Sequence, residues 1–377
     1  MVRVKICCGR CALRNKWWQC ICVGFLIFVL HAFRGACDET DGIALRQGTG
    51  FQVGPFSGVV VVYDVLPYRE TSLSKACVYE SFGNSLLHKL RDRFHLNDVV
   101  NEGKDEFERQ ILLASWVHNF IEFGDPYRRL STGEVLNLSG LRDAFTILSL
   151  AQKEQRFFCV QYASVLVSAA ASLGWICRML GHATGSWTEM WSNQYGRWYY
   201  LSPTSNLYWK VDGVPVDTYT GLRSGPGKCL FVAGGTREHP VPMERMATYS
   251  RYCYHTSTAL LSGVDLGKAY YVLPGEGRAS FNQFDMRPAH IAEEVLFPVN
   301  QAALKFFPHK DGFLVQMKTF TPNFAGFYVQ VDEGAWQGCR DEFIWRLHRG
   351  RNSFMAKSVN KFGVDGYVSR VVVEVGE

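Results

Sequence analysis

The stretch that decides the fold is Phe158-Cys159-Val160-Gln161-Tyr162-Ala163-Ser164-Val165-Leu166-Val167-Ser168-Ala169-Ala170. Small and apolar residues occur almost all round it at helical spacing, which predicts a helix buried on every side. The helix opens at or just before Cys159, and Gly174 stands where a left-handed residue closes a helix. A cysteine in the first turn meets unpaired N–H groups and the positive end of the helix dipole. Both favour the thiolate, which is the nucleophilic form, and the same N–H groups suit an oxyanion. A buried structural cysteine fits this position as well, so the position alone leaves both readings open.

Working outward, Phe107, Ile111, Leu112, Trp116, Val117 and Ile121 form one apolar stripe, with Asp105, Glu106 and Glu108 loading its first turn. Gly124 and Pro126 end that helix. Leu86, Leu87, Leu90 and Phe94 predict a shorter helix before it, and 141–150 predicts one after it. Downstream, Trp187 to Ser192 and Arg197 to Leu201 read as two strands joined by the turn Asn193-Gln194-Tyr195-Gly196. Residues 205–290, rich in Gly, Tyr and Pro, read as irregular chain packed on the core. From about Phe297 the pattern is all-β, with short runs at 312–317, 326–331, 343–347, 353–359 and 367–375 parted by turn residues. In the N-terminal part, Val59 to Tyr63 reads as a strand.

In order and spacing, these segments resemble the transglutaminase-like superfamily, a papain-type cysteine fold. Phe158 to Ala163 resembles its nucleophile segment, and Trp116-Val117 the pair on its preceding helix. Gly174 and Arg178 match its glycine and arginine ahead of the next strand. Trp187-Thr188-Glu189-Met190-Trp191-Ser192-Asn193 resembles its histidine-bearing strand, and Trp198 with Leu201-Ser202-Pro203-Thr204 its aspartate-bearing strand. The resemblance spans about 85–215. Trp345, Leu347, Gly350, Asn352, Asn360, Gly363 and Gly366 are spaced as in the immunoglobulin-like modules that follow such cores.

The resemblance implies an α+β fold, with helices packed on an antiparallel sheet and a C-terminal all-β sandwich. The expected divisions are a signal peptide or membrane anchor over 1–36, an N-terminal extension over 37–84 and the core over 85–215. An irregular extension over 216–296 and an immunoglobulin-like sandwich over 297–377 complete them.

In that family a thiolate attacks a glutamine or peptide carbonyl, a histidine moves the proton, and an aspartate holds the histidine. Here an ungapped count puts Gly185 at the histidine position and Ser202 at the aspartate position. Glycine cannot transfer a proton, and serine supplies no charge. Losing the orienting carboxylate alone costs about 10⁴ in rate in the serine-protease template. One rescue is a dyad of Cys159 with His182, three residues out of step. Trp187, Glu189, Trp191 and Trp198 are the candidate cleft residues. Core packing is the plain alternative for the three tryptophans, and a structural ion pair or hydrogen bond for Glu189.

The leader reading rests on Arg3, Lys5, Arg10, Arg14 and Lys16, followed by an apolar run from Ile21 to Phe33 and small residues at Gly35 and Ala36. That run is short for a membrane span. Cys37 is a candidate lipidated first residue. With Arg34, the leader holds six cations and no acid. The whole chain is +5, so the remainder is about −1. The basic balance therefore belongs to the leader and argues against a nucleic-acid partner. Five of the 12 cysteines also fall there, leaving Cys37, Cys77, Cys159, Cys177, Cys229, Cys253 and Cys339. An odd number leaves at least one thiol free or modified.

Cys7, Cys8 and Cys11 have no second pair at zinc spacing, and Gly225-Pro226-Gly227-Lys228-Cys229 lacks the phosphate-loop spacing. No metal or cofactor is expected. Asn137-Leu138-Ser139 is a glycosylation sequon only in a eukaryotic secretory host.

Three functions stay open: a catalytically degenerate binder of peptide, protein or glycan at the cell envelope; a thiol peptidase, amidase or acyltransferase using Cys159 and His182; and a structural envelope protein with Cys159 in its core or in a disulfide.

Overall fold

The computed structural model describes residues 42–182, 185–225, 227–242, 252–264, 269–271, 286–288 and 291–376. The segment expected to be a leader, with its cysteines, and Cys37 lie outside the described residues. Gly42–Glu377 forms one compact unit. The class is α+β, with seven α-helices and largely antiparallel sheets among the described residues.

The helices are α1 (Ser72–Ala76), α2 (Ser85–Arg93), α3 (Leu96–Asn101), α4 (Glu106–Phe120), α5 (Ala144–Ala151), α6 (Cys159–Ser172) and α7 (Thr218–Ser224). Their starts follow the sequence signals. Asp105 caps α4, its Oδ1 accepting the Glu108 N–H at 2.9 Å, and Asp143 caps α5 through the N–H groups of Phe145 and Thr146. The decisive helix α6 is buried from Gln161 to Ser172 at every residue but Ala171. It ends in a Schellman motif. Trp175 N–H donates to Ala170 O at 2.9 Å and Gly174 N–H to Ala171 O at 3.1 Å, with Gly174 at φ +79°.

Beneath α6 lies the main sheet. Its centre is β5 (Cys177–His182), β6 (Gly185–Ser192), β7 (Arg197–Ser202) and β8 (Leu207–Val211). Beyond β8 come β10 (Cys229–Ala233) and β11 (Arg237–Pro240), with β9 (Val214–Pro215) as a side pairing. Beyond β5 come β12 (Cys253–His255), β13 (Ala269–Tyr271) and β14 (Met286–Pro288). Among the described residues, the stretch 216–296, expected to be irregular, thus adds one α-helix and five strands to the core. These strands are only 3 to 5 residues long, too short for a period-2 signal to show. The segment around Arg178, expected ahead of a strand, is itself the strand β5.

Cys177, Met179, Met190, Tyr199 and Leu201 share one hydrophobic core with α2, α4, α5 and α6. Leu180, Trp187, Trp191, Trp198, Tyr200 and Trp209 point the other way, into a second core closed by Val295, Phe297 and Val299. A small hairpin, β3 (Tyr127–Arg129) with β4 (Val135–Asn137), stands apart from this sheet.

The C-terminal half is a sandwich, and it recruits the N-terminal segment. One sheet runs β1 (Gly50–Val53), β2 (Phe56–Asp64), β21 (Ser369–Val375), β20 (Gly350–Asn360), β17 (Phe324–Val331), β18 (Gln337–Cys339). The other runs β15 (Ala303–His309), β16 (Gly312–Lys318), β19 (Glu342–Arg346). Both sheets bury residues in a single core that includes Val60, Phe313, Trp345, Phe354 and Val373. Residues 50–64, expected in a separate extension, therefore belong to the sandwich through β2–β21 pairing.

Of the glycine and asparagine pattern near the C-terminus, Asn360 ties the sandwich to the core by donating to Gly174 O at 2.8 Å. Asn352 closes its own turn by accepting the His348 N–H at 2.8 Å. Among the described residues no helix is long and apolar enough to cross a membrane.

Candidate functional site

The start of α6 is pinned from several sides. Phe157 N–H donates to Glu122 O at 3.0 Å and Gly124 N–H donates to Phe157 O at 3.1 Å, which holds the chain just ahead of Cys159. Gln161, in the third helical position, accepts the Phe158 N–H at 3.2 Å and donates to Ser139 O at 2.8 Å. Tyr162 Oη donates to Ile121 O, the residue that follows α4. Cys159 is the first helical residue and is half-buried.

The register of the ribbon below sets what this sulfur meets. In β5–β6 the pairs are Cys177–Met190, Arg178–Glu189, Met179–Thr188, Leu180–Trp187, Gly181–Ser186 and His182–Gly185. Side chains alternate across a strand. Gly181, Ser186, Thr188 and Met190 therefore share the α6 face, while Gly185, Trp187 and Glu189 fall on the opposite one. The β6–β7 ladder begins only at Thr188–Leu201. Ser186 lies past its end, and its backbone N–H donates to Cys159 Sγ at 3.3 Å. The thiol and the β6 ribbon are thus brought together.

Gly185 and Ser202 supply no acid–base group. Gly185 is the neighbour of Ser186 and has no side chain. Ser202 ends β7, is buried, and its Oγ accepts the Ser205 N–H at 3.3 Å, so its hydroxyl shapes the turn into β8. His182 closes the β5–β6 ladder opposite Gly185. Its side chain, and with it the Cys159–His182 dyad, lies outside the described residues.

The expected cleft residues take the other role. Trp187, Trp191 and Trp198 are each 2% exposed and Glu189 is fully buried. Trp187 Nε1 donates to Thr218 Oγ1 at 3.1 Å, Trp191 Nε1 to Asn193 Oδ1 at 3.0 Å, and Trp198 Nε1 to Phe297 O at 2.9 Å. They form core, not cleft wall. The second core covers this face of the sheet, and the layer that closes it comes from α7 and 295–299, which the sequence pattern did not place there.

Glu189 accepts both Arg178 Nη2 at 2.5 Å and Arg178 Nε at 3.1 Å, and its other oxygen accepts the Thr218 N–H at 2.8 Å. The Arg178 guanidinium lies over Trp198 and Tyr254, 4.0 and 4.3 Å from the ring centroids. Asp217 beside this cluster is pushed up to about 6, by burial first and by the Glu189 charge second.

Two imidazoles escaped the sequence reading. His255 on β12 is 4% exposed. Its strand pairs with β5 through Cys253–Gly181, so alternation puts His255 on the α6 face. A Cβ placed on Gly181 would lie 3.1 Å from His255 Nε2 and 3.8 Å from Ser186 Oγ. The missing glycine side chain leaves that space to the imidazole. His118 on α4 donates from Nδ1 to the carbonyls of Pro203 and Thr204, at 3.2 and 3.1 Å, and so holds the turn after Ser202. Neither lies in a motif, because each reaches the ribbon through tertiary packing.

The chain matches no family model and no curated protein. Among the described residues no three His, Cys, Asp or Glu side chains gather as a metal-binding group. The six described cysteines are all free. Burial pushes the Cys177 and Cys229 thiols up to about 12, and those of Cys77 and Cys253 up to about 11. A separate cleft of about 760 Å³ is lined by Glu106 and Arg109 of the core on one side and by Asp64 and 363–368 of the sandwich on the other; Cys159 is not among its walls.

Proposed function

We propose that this chain is an exported, transglutaminase-like protein of papain type with an immunoglobulin-like sandwich. In this reading its inherited catalytic set is degenerate, and it binds peptide or glycan at the cell envelope. The observation that carries the reading is the Ser186 N–H to Cys159 Sγ contact at 3.3 Å. It sets a helix-opening sulfur against a strand whose neighbouring position, Gly185, holds no proton carrier. The turn-bound Ser202 supports the same view, since acyl transfer needs a base and an orienting group in place. The cleft walled by both core and sandwich offers surface for an extended polar ligand, with the Arg109 guanidinium on its wall.

The test pairs turnover with binding. The full chain and its Cys159→Ala variant are assayed for release of ammonia or peptide from glutamine-containing and amide substrates, and for binding to peptide and glycan fragments by calorimetry. Binding that survives Cys159→Ala, with no turnover in either protein, is expected. Turnover that disappears with Cys159→Ala would replace this reading with the enzyme.

A further inference from the structure

We infer that the groove along the first turns of α4 is a binding site for an alkylated ammonium cation, held by an aromatic box and an acidic rim. The groove has a volume of about 500 Å³, within the range of small-molecule sites. Three of its walls are the rings of Phe107, Tyr195 and Tyr208. Phe107 comes from α4, Tyr195 from the β6–β7 turn and Tyr208 from β8. The Tyr195 and Tyr208 rings stand at 89° and 88° to Phe107, their centroids 5.5 and 5.1 Å from its own. Each ring is half-buried, so each leaves part of its surface to the groove. Phe107 and Tyr208 also pack against the α6 core. That support from behind fixes the box before any ligand enters, which lowers the entropy lost on binding.

The rim supplies charge of one sign. Glu102, Asp105 and Glu108 line the groove, and no Lys or Arg is among its described walls. Asp105 accepts the Glu108 N–H at 2.9 Å and Gln194 Nε2 at 3.3 Å, and Glu108 accepts the Lys104 N–H at 2.9 Å. These donors are neutral amides, so they leave both charges unbalanced. The positive end of α4 offsets only about half a charge. A groove with apolar walls focuses the remaining field on a cation, and ring faces attract the same sign of charge through their quadrupoles.

Box and rim together select the ligand. An anion is repelled, and a neutral apolar body leaves the carboxylates unused. Among the described residues no three acids converge as a metal site, so the rim acts through its field and not by coordination. An alkylated ammonium carries its charge inside an apolar shell, which the rings can cover at little desolvation cost. Asp105 also borders the larger cleft assigned to peptide or glycan. The cation site does not rest on that reading, since a chain that binds neither can still possess it.

The experiment titrates choline chloride into the full chain by calorimetry at low salt. Two controls accompany it: neohexyl alcohol, the uncharged isostere with carbon in place of nitrogen, and ammonium chloride, which has the charge without the methyl groups. Choline is expected to bind with a Kd of about 1 mM or tighter, and at least about tenfold tighter than either control. Tyr195→Leu and Tyr208→Leu each weaken choline about tenfold, whereas Tyr208→Phe, which keeps the ring, stays within about twofold. Glu102→Gln weakens it about threefold and lessens its dependence on salt. Acetyl-trimethyl-lysine amide is titrated as well. Binding tighter than choline makes the source a modified protein side chain, and weaker binding makes it a small solute; both uphold the site. Should Tyr208→Leu fail to fold, Tyr195→Leu decides, because Tyr195 lies in a turn and in none of the three hydrophobic cores. Equal binding of the alcohol would show that the rim is idle, and equal binding of ammonium that the rings are idle. Either result overturns the site, as does a chain that ignores choline or a folded Tyr195→Leu variant that binds it as before.

Discussion

Arg178 and Glu189 meet across β5–β6 with Nη2 2.5 Å from Oε2, their side chains 5% and 0% exposed. Two opposite charges taken so far from water attract strongly, but each has lost its hydration. The net worth of such a pair is small, whereas removing one partner strands the other. Arg178→Leu leaves the Glu189 carboxylate buried with only the Thr218 N–H, and is expected to cost about 3–5 kcal/mol. Replacing both residues with apolar ones is expected to cost clearly less than the two single losses together. Urea unfolding of the single and double variants measures both quantities. Equal costs for pair and single changes would show that the ring contacts of Arg178 with Trp198 and Tyr254 matter more than the charge pair.

Glu106 predicts a pH dependence of stability. Its carboxyl is pushed up to about 7 by burial, and the hydrogen bonds from Gln194, Asn193 and Ser192 only partly oppose that. A carboxyl whose folded value exceeds its unfolded value of about 4.3 binds its proton more tightly in the native state. Its contribution is therefore complete below about pH 4.3 and is lost as pH rises through about 7. Asp217, pushed up to about 6, acts with the same sign. Between pH 5 and 8, Glu106→Gln is expected to flatten the fall in stability by roughly 2 kcal/mol. Tm against pH for the two proteins is the measurement, and parallel curves would remove Glu106 as the cause.

The elements with local signals were legible in the sequence. The buried period and terminal glycine of α6, the acidic start of α4, the β6–β7 turn and five of the seven described C-terminal strands (β16, β17, β19, β20 and β21) carry their own residues as evidence. Pairings over long separations were not legible. Nothing in Val59 to Tyr63 shows that β2 lies against β21, and nothing in Cys253-Tyr254-His255 shows that this strand extends the sheet beyond β5. The site divided the same way. Cys159 announced itself through its helix, and the structure brings it to Ser186. His255 gave no signal, because only the β12–β5 register aims it at Gly181. The four supposed cleft residues failed because alternation tells which residues share a face of a strand, not whether a second layer covers that face.

Thiol chemistry should sort the six described cysteines by burial. Cys77, Cys177, Cys229 and Cys253 have values pushed to about 11 or 12, and near pH 8 they hold very little thiolate. Cys77, Cys159 and Cys339 are half-buried, and Cys177, Cys229 and Cys253 are buried. Alkylation of the native chain at pH 8 is expected to modify Cys159 and Cys339 first, Cys77 more slowly because desolvation raises its thiol, and the three buried thiols only when unfolding exposes them. Peptide-resolved labelling with and without denaturant gives the order. Early modification of Cys177, which sits under α6, would mean that the helix opens from the sheet far more readily than its burial implies.

Gly366 sits where the sandwich meets the core, and its lack of a side chain is a packing requirement. A Cβ there would come 2.1 Å from Asn300 O and 2.5 Å from Ser358 Oγ, and the first of these is backbone that cannot swing aside. The same Asn300 accepts the Tyr367 N–H at 2.8 Å and donates from Nδ2 to Asn193 Oδ1 at 2.9 Å, in the β6–β7 turn. Displacing its carbonyl therefore strains the bridge from the sandwich to the α6 core as well as the local turn. Gly366→Ala is expected to destabilise by about 2–4 kcal/mol, in the range of overpacking combined with a lost buried hydrogen bond. Gly363→Ala, with nothing within 4 Å but φ at +79°, should cost only about 1 kcal/mol through backbone strain. Urea unfolding of the two variants separates contact from conformation. If Gly363→Ala proves the more damaging, the turn matters through its left-handed backbone, and the close approach of Gly366 to Asn300 does not hold the two halves together.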